Sequence, residues 1–124
     1  MFKIIVVGLG GFLGAISRYI ISGFIYRLLG DRFPYGTLFV NVLGCFLIGL
    51  IVTITEERFF VNPTIRIFLT VGLLGAFTTF STFGYETIEL IRQGSHFAAL
   101  ANVIYSVLNG LAAVYVGMVI GRLF

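Results

Sequence analysis

The residues best suited to chemistry lie in one short run, Gly72-Leu73-Leu74-Gly75-Ala76-Phe77-Thr78-Thr79-Phe80-Ser81-Thr82-Phe83. Glycines and hydroxyls gather at the centre of otherwise apolar sequence, a composition that favours an interrupted helix. In lipid, an interruption is tolerated only where the freed backbone groups are buried in protein or line a hydrated path. Carbonyls freed here, if two copies met across a two-fold axis, would form a cage of hard oxygen donors suited to a small cation such as Na⁺. The competing arrangement is a continuous helix with its hydroxyls bonded to their own i−4 carbonyls. Phe77, Phe80 and Phe83 recur every three residues, so a continuous helix aligns them in one stripe. Such a stripe suits lipid or core. It also suits an anion, because phenyl edges carry partial positive charge and could receive the ion edge-on as its water is stripped, with Ser81 and Thr82 adding hydroxyl donors.

Other polar residues occupy apolar surroundings. Asn41 stands in the second hydrophobic run, and Asn102, Ser106 and Asn109 in the last. Spacings of four and three place the latter three on one helical face, which predicts that this face points inward. Amides and hydroxyls donate hydrogen bonds without full charge, which suits an anion that must pass rather than stay. They serve equally as glue between helices, at about 1 kcal/mol per bond. Arg18 lies about 22 Å along the first helix from Lys3 at 1.5 Å per residue. It either snorkels to the interface or holds a charge in a water-filled vestibule, where it would attract anions. Glu86 and Glu89 follow the third charge-free run and read as interfacial acids. Glu86 lies one turn beyond Thr82 and Phe83, so it could border the mouth of a path. His96 reads as a solvated loop side chain.

The elements that must position these groups are membrane helices. Of 124 residues, 59% are hydrophobic and 10% charged, against about 25% charged in a soluble domain. Charge-free runs cover Ile4–Ser17, Tyr19–Tyr26, Phe33–Thr55, Ile67–Tyr85 and Phe97–Gly121. Crossing a hydrocarbon layer takes roughly 20 apolar residues. The last three runs suffice alone, and the first two join around Arg18. The expectation is an all-α integral membrane protein, a single transmembrane domain over 1–124, with spans at about 2–29, 33–55, 65–91 and 97–123. The third either continues as one helix or, if residues 72–83 build a site, breaks near its middle. The N-terminal run is too long for a signal peptide and no A-x-A-like cleavage site follows it.

Short loops leave no room for an extramembrane domain, so function must live within the bilayer. Lys3, Arg58, Arg66 and Arg122 fall on one side, and Arg27, Arg32 and Arg92 on the other, with Arg18 able to join them. Orientation normally follows an excess of Lys and Arg on the cytoplasmic side. The near balance is compatible with insertion both ways up, which would allow an antiparallel homodimer with an isologous interface, unless one or two residues fix the orientation. Gly10-x-x-x-Gly14 and Gly117-x-x-x-Gly121 fit the small-xxx-small pattern of packed membrane helices and lend slight support to association. Cys45 is a lone thiol in an apolar span and reads as packing. The net charge of +3 is spread singly, which speaks against nucleic acid. Gly8-x-Gly10 is followed by Leu13 where a dinucleotide fingerprint needs glycine, and no α/β alternation follows, so no nucleotide site is expected. There is no nucleophile, acid pair or metal cluster for an enzyme.

Taken together these residues resemble the Fluc/CrcB fluoride channels over nearly the whole chain. Three blocks carry the likeness: Gly10-Gly11-x-x-Gly14-Ala15-x-x-Arg18-Tyr19, Gly36-Thr37-Leu38-x-Val40-Asn41-x-x-Gly44 and Gly75-x-x-Thr78-Thr79-Phe80-Ser81-Thr82-Phe83. The resemblance implies an antiparallel dual-topology homodimer in a prokaryotic cell membrane, with two fluoride pores and one structural Na⁺ at the centre of the dimer interface. Gly75 and Thr78 would lend backbone carbonyls to Na⁺. Phe80 and Phe83 would be the paired pore phenylalanines, with Asn41, Ser81 and Thr82 as polar pore elements and Glu86 at the mouth. Arg18 would sit in the aqueous vestibule. In the fourth span the match is looser, with Asn102 and Ser106 aligned on the pore. The implied physiology is passive export of toxic fluoride, driven by a negative interior with about 2.3 kcal/mol per 100 mV. The alternative is a small dual-topology proton-coupled multidrug transporter. That chemistry wants a carboxylate in mid-membrane, and none of the charge-free runs contains one. A non-transporting scaffold would not need Asn, Ser and Thr aligned on inward faces.

Overall fold

A computed structural model describes residues 1–58 and 61–124. Helix α1 spans Phe2–Leu29 and ends at Gly30, whose φ of +85° is left-handed and free of a Cβ clash only in glycine. Helix α2, Tyr35–Glu57, starts after Pro34 and carries its last turn past the apolar run into Glu56 and Glu57. The third span opens where the Asn62 side chain accepts the Thr64 N–H at 2.9 Å, with Pro63 just behind it. This pairing suits a helix start, because the side chain satisfies an orphan donor and proline lacks one.

That span is built in pieces. Helix α3 (Pro63–Ile67) passes into a π-helical stretch, Phe68–Leu74, and then into the single turn α4 (Gly75–Phe77). Thr78 and Thr79 are extended, with ψ of 157° and 113°. Helix α5 then runs from Phe80 to Arg92. It ends in a Schellman arrangement, Ser95 N–H to the Leu90 carbonyl and Gly94 N–H to that of Ile91, with Gly94 at φ +82°. Helix α6 covers His96–Arg122. Four stretches, with Pro63–Arg92 taken as one, are long and apolar enough to cross a membrane.

Small residues set how closely these helices pack. A Cβ on Gly14 would stand 2.1 Å from the Leu73 carbonyl oxygen, and one on Gly10 would stand 2.6 Å from that of Phe68. The first glycine pair is therefore filled by the π-helical stretch of the same chain. A Cβ on Gly117 would meet the Phe46 carbonyl oxygen at 2.2 Å, and one on Gly121 would meet Thr53 at 2.9 Å, so the second pair seats α6 on α2. Both small-xxx-small patterns hold one protomer together, which removes the support they lent to association. The closely packed centre is small: Val40, Leu74 and Phe77, flanked by Ile21, Leu43, Leu47, Ile48, Ile51 and Leu73. Most large apolar side chains of α1 and α6 point outward, as lipid or a second protein surface requires.

Candidate functional site

The site is organised by Asn41. Its Nδ2 donates to the Thr79 carbonyl at 3.0 Å, and its Oδ1 accepts the Thr79 N–H at 2.7 Å. In a continuous helix that N–H would close on the carbonyl of Gly75, four residues back. Asn41 thus pairs both backbone groups of a buried extended residue and relieves Gly75 of its i+4 donor. Thr79 also caps α5, its Oγ1 accepting the Thr82 N–H at 3.2 Å and donating to Thr82 Oγ1 at 3.0 Å. Thr78 Oγ1 donates to the Leu74 carbonyl at 3.0 Å. The i−4 hydroxyl bonds and the extended pair therefore coexist rather than compete.

Two clefts meet at this stretch. One, of about 380 Å³, is lined by Asn41, Gly44, Thr78, Phe80, Phe83 and Ser106 among others. Phe80 is 84% exposed there, with its ring centroid 5.7 Å from that of Phe83 and the planes tilted by 43°. Phe77 is 3% exposed and belongs to the core. The three phenylalanines do not form one stripe, because the extended residues rotate Phe80 and Phe83 away from Phe77. Gly75 borders the same cleft and is exposed. A Cβ there would find only the Thr70 carbonyl oxygen at 3.8 Å, so nothing within the protomer demands glycine.

The other cleft, of about 360 Å³, holds Arg18 together with Ser22, Tyr26, Thr37, Thr79 and Thr82. The Arg18 guanidinium reaches back to the Thr78 carbonyl at 3.4 Å, a long contact that leaves the oxygen accessible to other partners. The guanidinium and the N-terminal turn of α5 present positive or proton-donating character, which favours an anion, while the hydroxyls of Ser22, Tyr26, Thr37 and Thr79 already donate within the protein and Glu86 lines the same cleft. Ser81 is exposed in that same turn, its Oγ 3.5 Å from Thr79 Oγ1.

Glu86 departs from the expected interfacial acid. It lies within α5, partly buried, and both its oxygens accept hydrogen bonds: Oε1 from Thr37 Oγ1 at 2.7 Å and Oε2 from the Tyr26 hydroxyl at 3.1 Å. It sits about 9 Å along the helix from Phe80. A carboxylate is therefore held inside the protein, and the sequence argument against carboxylate chemistry stands only for mid-membrane. The last helix divides its polar face. Asn102 is 1% exposed and donates to Thr87 Oγ1 at 2.9 Å, tying α6 to α5. Ser106 reaches the Phe80 cleft, while Asn109 opens onto an apolar groove between α2 and α6. The three do not share one inward surface.

Sequence reasoning missed Tyr26 and Thr37. Thr37 stood in a glycine-flanked block and carried a signal. Tyr26, near the end of an apolar span, looks like any interfacial aromatic anchor.

Fold and site together define a small multi-pass membrane protein whose polar groups converge on an interrupted span. The family described as CrcB-like protein, Camphor Resistance (CrcB), matches residues 5–118, and the chain belongs to that family. Relatives bearing the name fluoride-specific ion channel FluC include one from Dehalococcoides mccartyi, 45% identical over 99% of this chain and 95% of its own. Others come from Magnetococcus marinus, 48% identical over 94% and 95%, and Geobacter metallireducens, 45% identical over 98% of each. The chain is a multi-pass protein of a bacterial cell membrane, and its family is one of channels rather than enzymes.

Proposed function

We propose that the chain is a fluoride-selective anion channel that exports fluoride passively, working as an antiparallel dual-topology homodimer with two pores and one structural Na⁺ at its centre. The observation that carries this reading is the tilted Phe80–Phe83 pair, set in an open cleft whose polar members, Asn41, Thr70, Thr78, Thr79 and Ser106, are all uncharged. Ring edges and amide or hydroxyl protons replace parts of a hydration shell without binding the anion too tightly to leave. The printed names of the relatives agree with fluoride as the ion. Arg18, Ser81 and Thr82 would gather anions before the phenyl pair, and Glu86 would stand at the mouth. Asn102 would act on the pathway by fixing α6 beside Phe83.

A second copy is the natural cover for the Phe80 cleft. Gly75 is exposed with no contact in its own protomer that excludes a side chain, which fits a position reserved for close approach by a partner. The near-even distribution of basic residues fits a partner inserted the other way up. Gly75 and Thr78 would hold Na⁺ through their carbonyls, and Na⁺, when bound, would supply a fixed positive charge to the assembly. The Gly75 carbonyl, released by Asn41, suits that role, and the Thr78 carbonyl would share it with the long Arg18 contact.

The test is ion efflux from liposomes holding the purified chain, with fluoride compared to chloride under a valinomycin potassium shunt. Fast fluoride release with little chloride release supports the channel. Verified dimers that release no fluoride would refute it and redirect attention to proton-coupled drug exchange, for which Glu86 supplies a carboxylate.

A further inference from the structure

Three elements converge on one carboxylate. Tyr26 lies in the last turns of α1, Thr37 in the first turn of α2 and Glu86 midway along α5. The Thr37 N–H, one of the orphan donors at a helix start, reaches the Tyr26 hydroxyl oxygen at 3.4 Å. That hydroxyl then gives its own proton to Glu86 Oε2. Gly36 makes the approach possible, since a Cβ there would stand 2.4 Å from Cε2 of the Tyr26 ring. The tyrosine is thus seated by packing and by an accepted hydrogen bond, and its hydroxyl stands between Glu86 Oε2 at 3.1 Å and the Thr37 hydroxyl at 3.2 Å.

The position of this cluster gives it a consequence. Tyr26 and Glu86 line the Arg18 cleft and also a second cleft of about 300 Å³ that contains Asp31, Arg32, Glu89 and Gln93 near the end of the span. Glu86 therefore stands on the wall common to both. A carboxylate released there could swing beside Arg18 and the Thr82 hydroxyl, which line the same cleft, capping the donors that an anion would use.

We propose that Tyr26 is a positioning residue for conduction: seated by the Thr37 N–H and Gly36, it acts with the Thr37 hydroxyl to hold the Glu86 carboxylate against the wall between the two clefts and keeps the Arg18 donors open to a passing anion. This rests on the reading of the chain as an anion channel. The Tyr26→Phe variant keeps the ring and removes the hydroxyl, so Glu86 loses one of its two donors and the Thr37 N–H loses its acceptor.

Fluoride efflux from liposomes is measured for the wild type, Tyr26→Phe, Glu86→Gln and the double variant, together with infrared difference spectra in the carboxylate region assigned by Glu86→Gln subtraction. Losing a hydrogen bond to a charged group corresponds to about a tenfold effect, so Tyr26→Phe should lower efflux by about that factor. With no carboxylate left to hold, the same change in the Glu86→Gln background should matter by under about twofold, the mark of residues acting through one another. The Glu86 band should shift in Tyr26→Phe. Equal loss in both backgrounds, undiminished efflux or an unshifted band overturns the proposal. Where Glu86→Gln itself passes no fluoride, the infrared band decides. A wild type that passes no fluoride refutes the channel reading and with it any conduction role for Tyr26. A conducting wild type matched by Tyr26→Phe refutes the role of Tyr26 alone.

Discussion

Replacing Asn41 with leucine tests whether one side chain sustains the interrupted span. The two hydrogen bonds at stake, 2.7 and 3.0 Å long, pair the N–H and C=O of Thr79, a residue 9% exposed. Leucine matches asparagine in size but offers no donor or acceptor, so both backbone groups lose their partner in a place with little access to water. Each buried group left unpaired costs about 1–3 kcal/mol. The sum, about 2–6 kcal/mol, is a large part of the 5–15 kcal/mol or so that separates folded from unfolded proteins. Asn41→Asp keeps the acceptor for the Thr79 N–H but sets a charged oxygen against the Thr79 carbonyl where water is scarce, so it should lose at least as much. The assay is denaturant unfolding in detergent followed by circular dichroism, with fluoride efflux recorded on the same preparations. An Asn41→Leu variant as stable as the wild type would refute the reasoning, because it would mean that Thr79 finds other partners. An Asn41→Asp variant as stable as the wild type at about pH 8 would refute the assignment of a donor facing the Thr79 carbonyl.

Three further outcomes are expected. Gly14→Ala should destabilise the protomer by about 1–3 kcal/mol through overpacking, because its Cβ would meet backbone at 2.1 Å, whereas Gly8→Ala, inside α1 with nothing within 4 Å, should hold or slightly raise the unfolding midpoint, by up to about 1 kcal/mol. Gly75→Val should leave helical content intact by circular dichroism while reducing the dimer fraction seen by crosslinking in membranes; a full dimer fraction would mean that no partner approaches there. Phe80→Ile and Phe83→Ile should each suppress fluoride efflux, since ring edges vanish while volume is roughly kept, and undiminished efflux in both would remove the phenyl pair from the pathway.

The four spans were legible because a bilayer imposes a length on apolar sequence: the runs ending at Thr55 and Gly121 lie within two residues of the helix ends at Glu57 and Arg122. The special character of residues 72–83 was legible from composition. Partnership was not. Asn41 meets Thr79 across 38 positions and Tyr26 meets Glu86 across 60, and spacing rules describe neighbours only within one continuous element. The phenylalanine stripe failed for that reason, since periodicity ends where the backbone extends at Thr78. The glycine pairs announced close contact correctly, but a pattern of small residues names no partner, and the partner lay in the same chain.

The extended pair at Thr78 and Thr79 has an electrical consequence. An unbroken span shows its two dipolar ends only at the opposite faces of the membrane. Here α4 finishes and α5 begins inside the layer, so carbonyl oxygens released by the one and N–H groups belonging to the other stand a few residues apart at the same depth. A single span can then be hospitable to both signs of ion side by side, in a medium that repels either one alone.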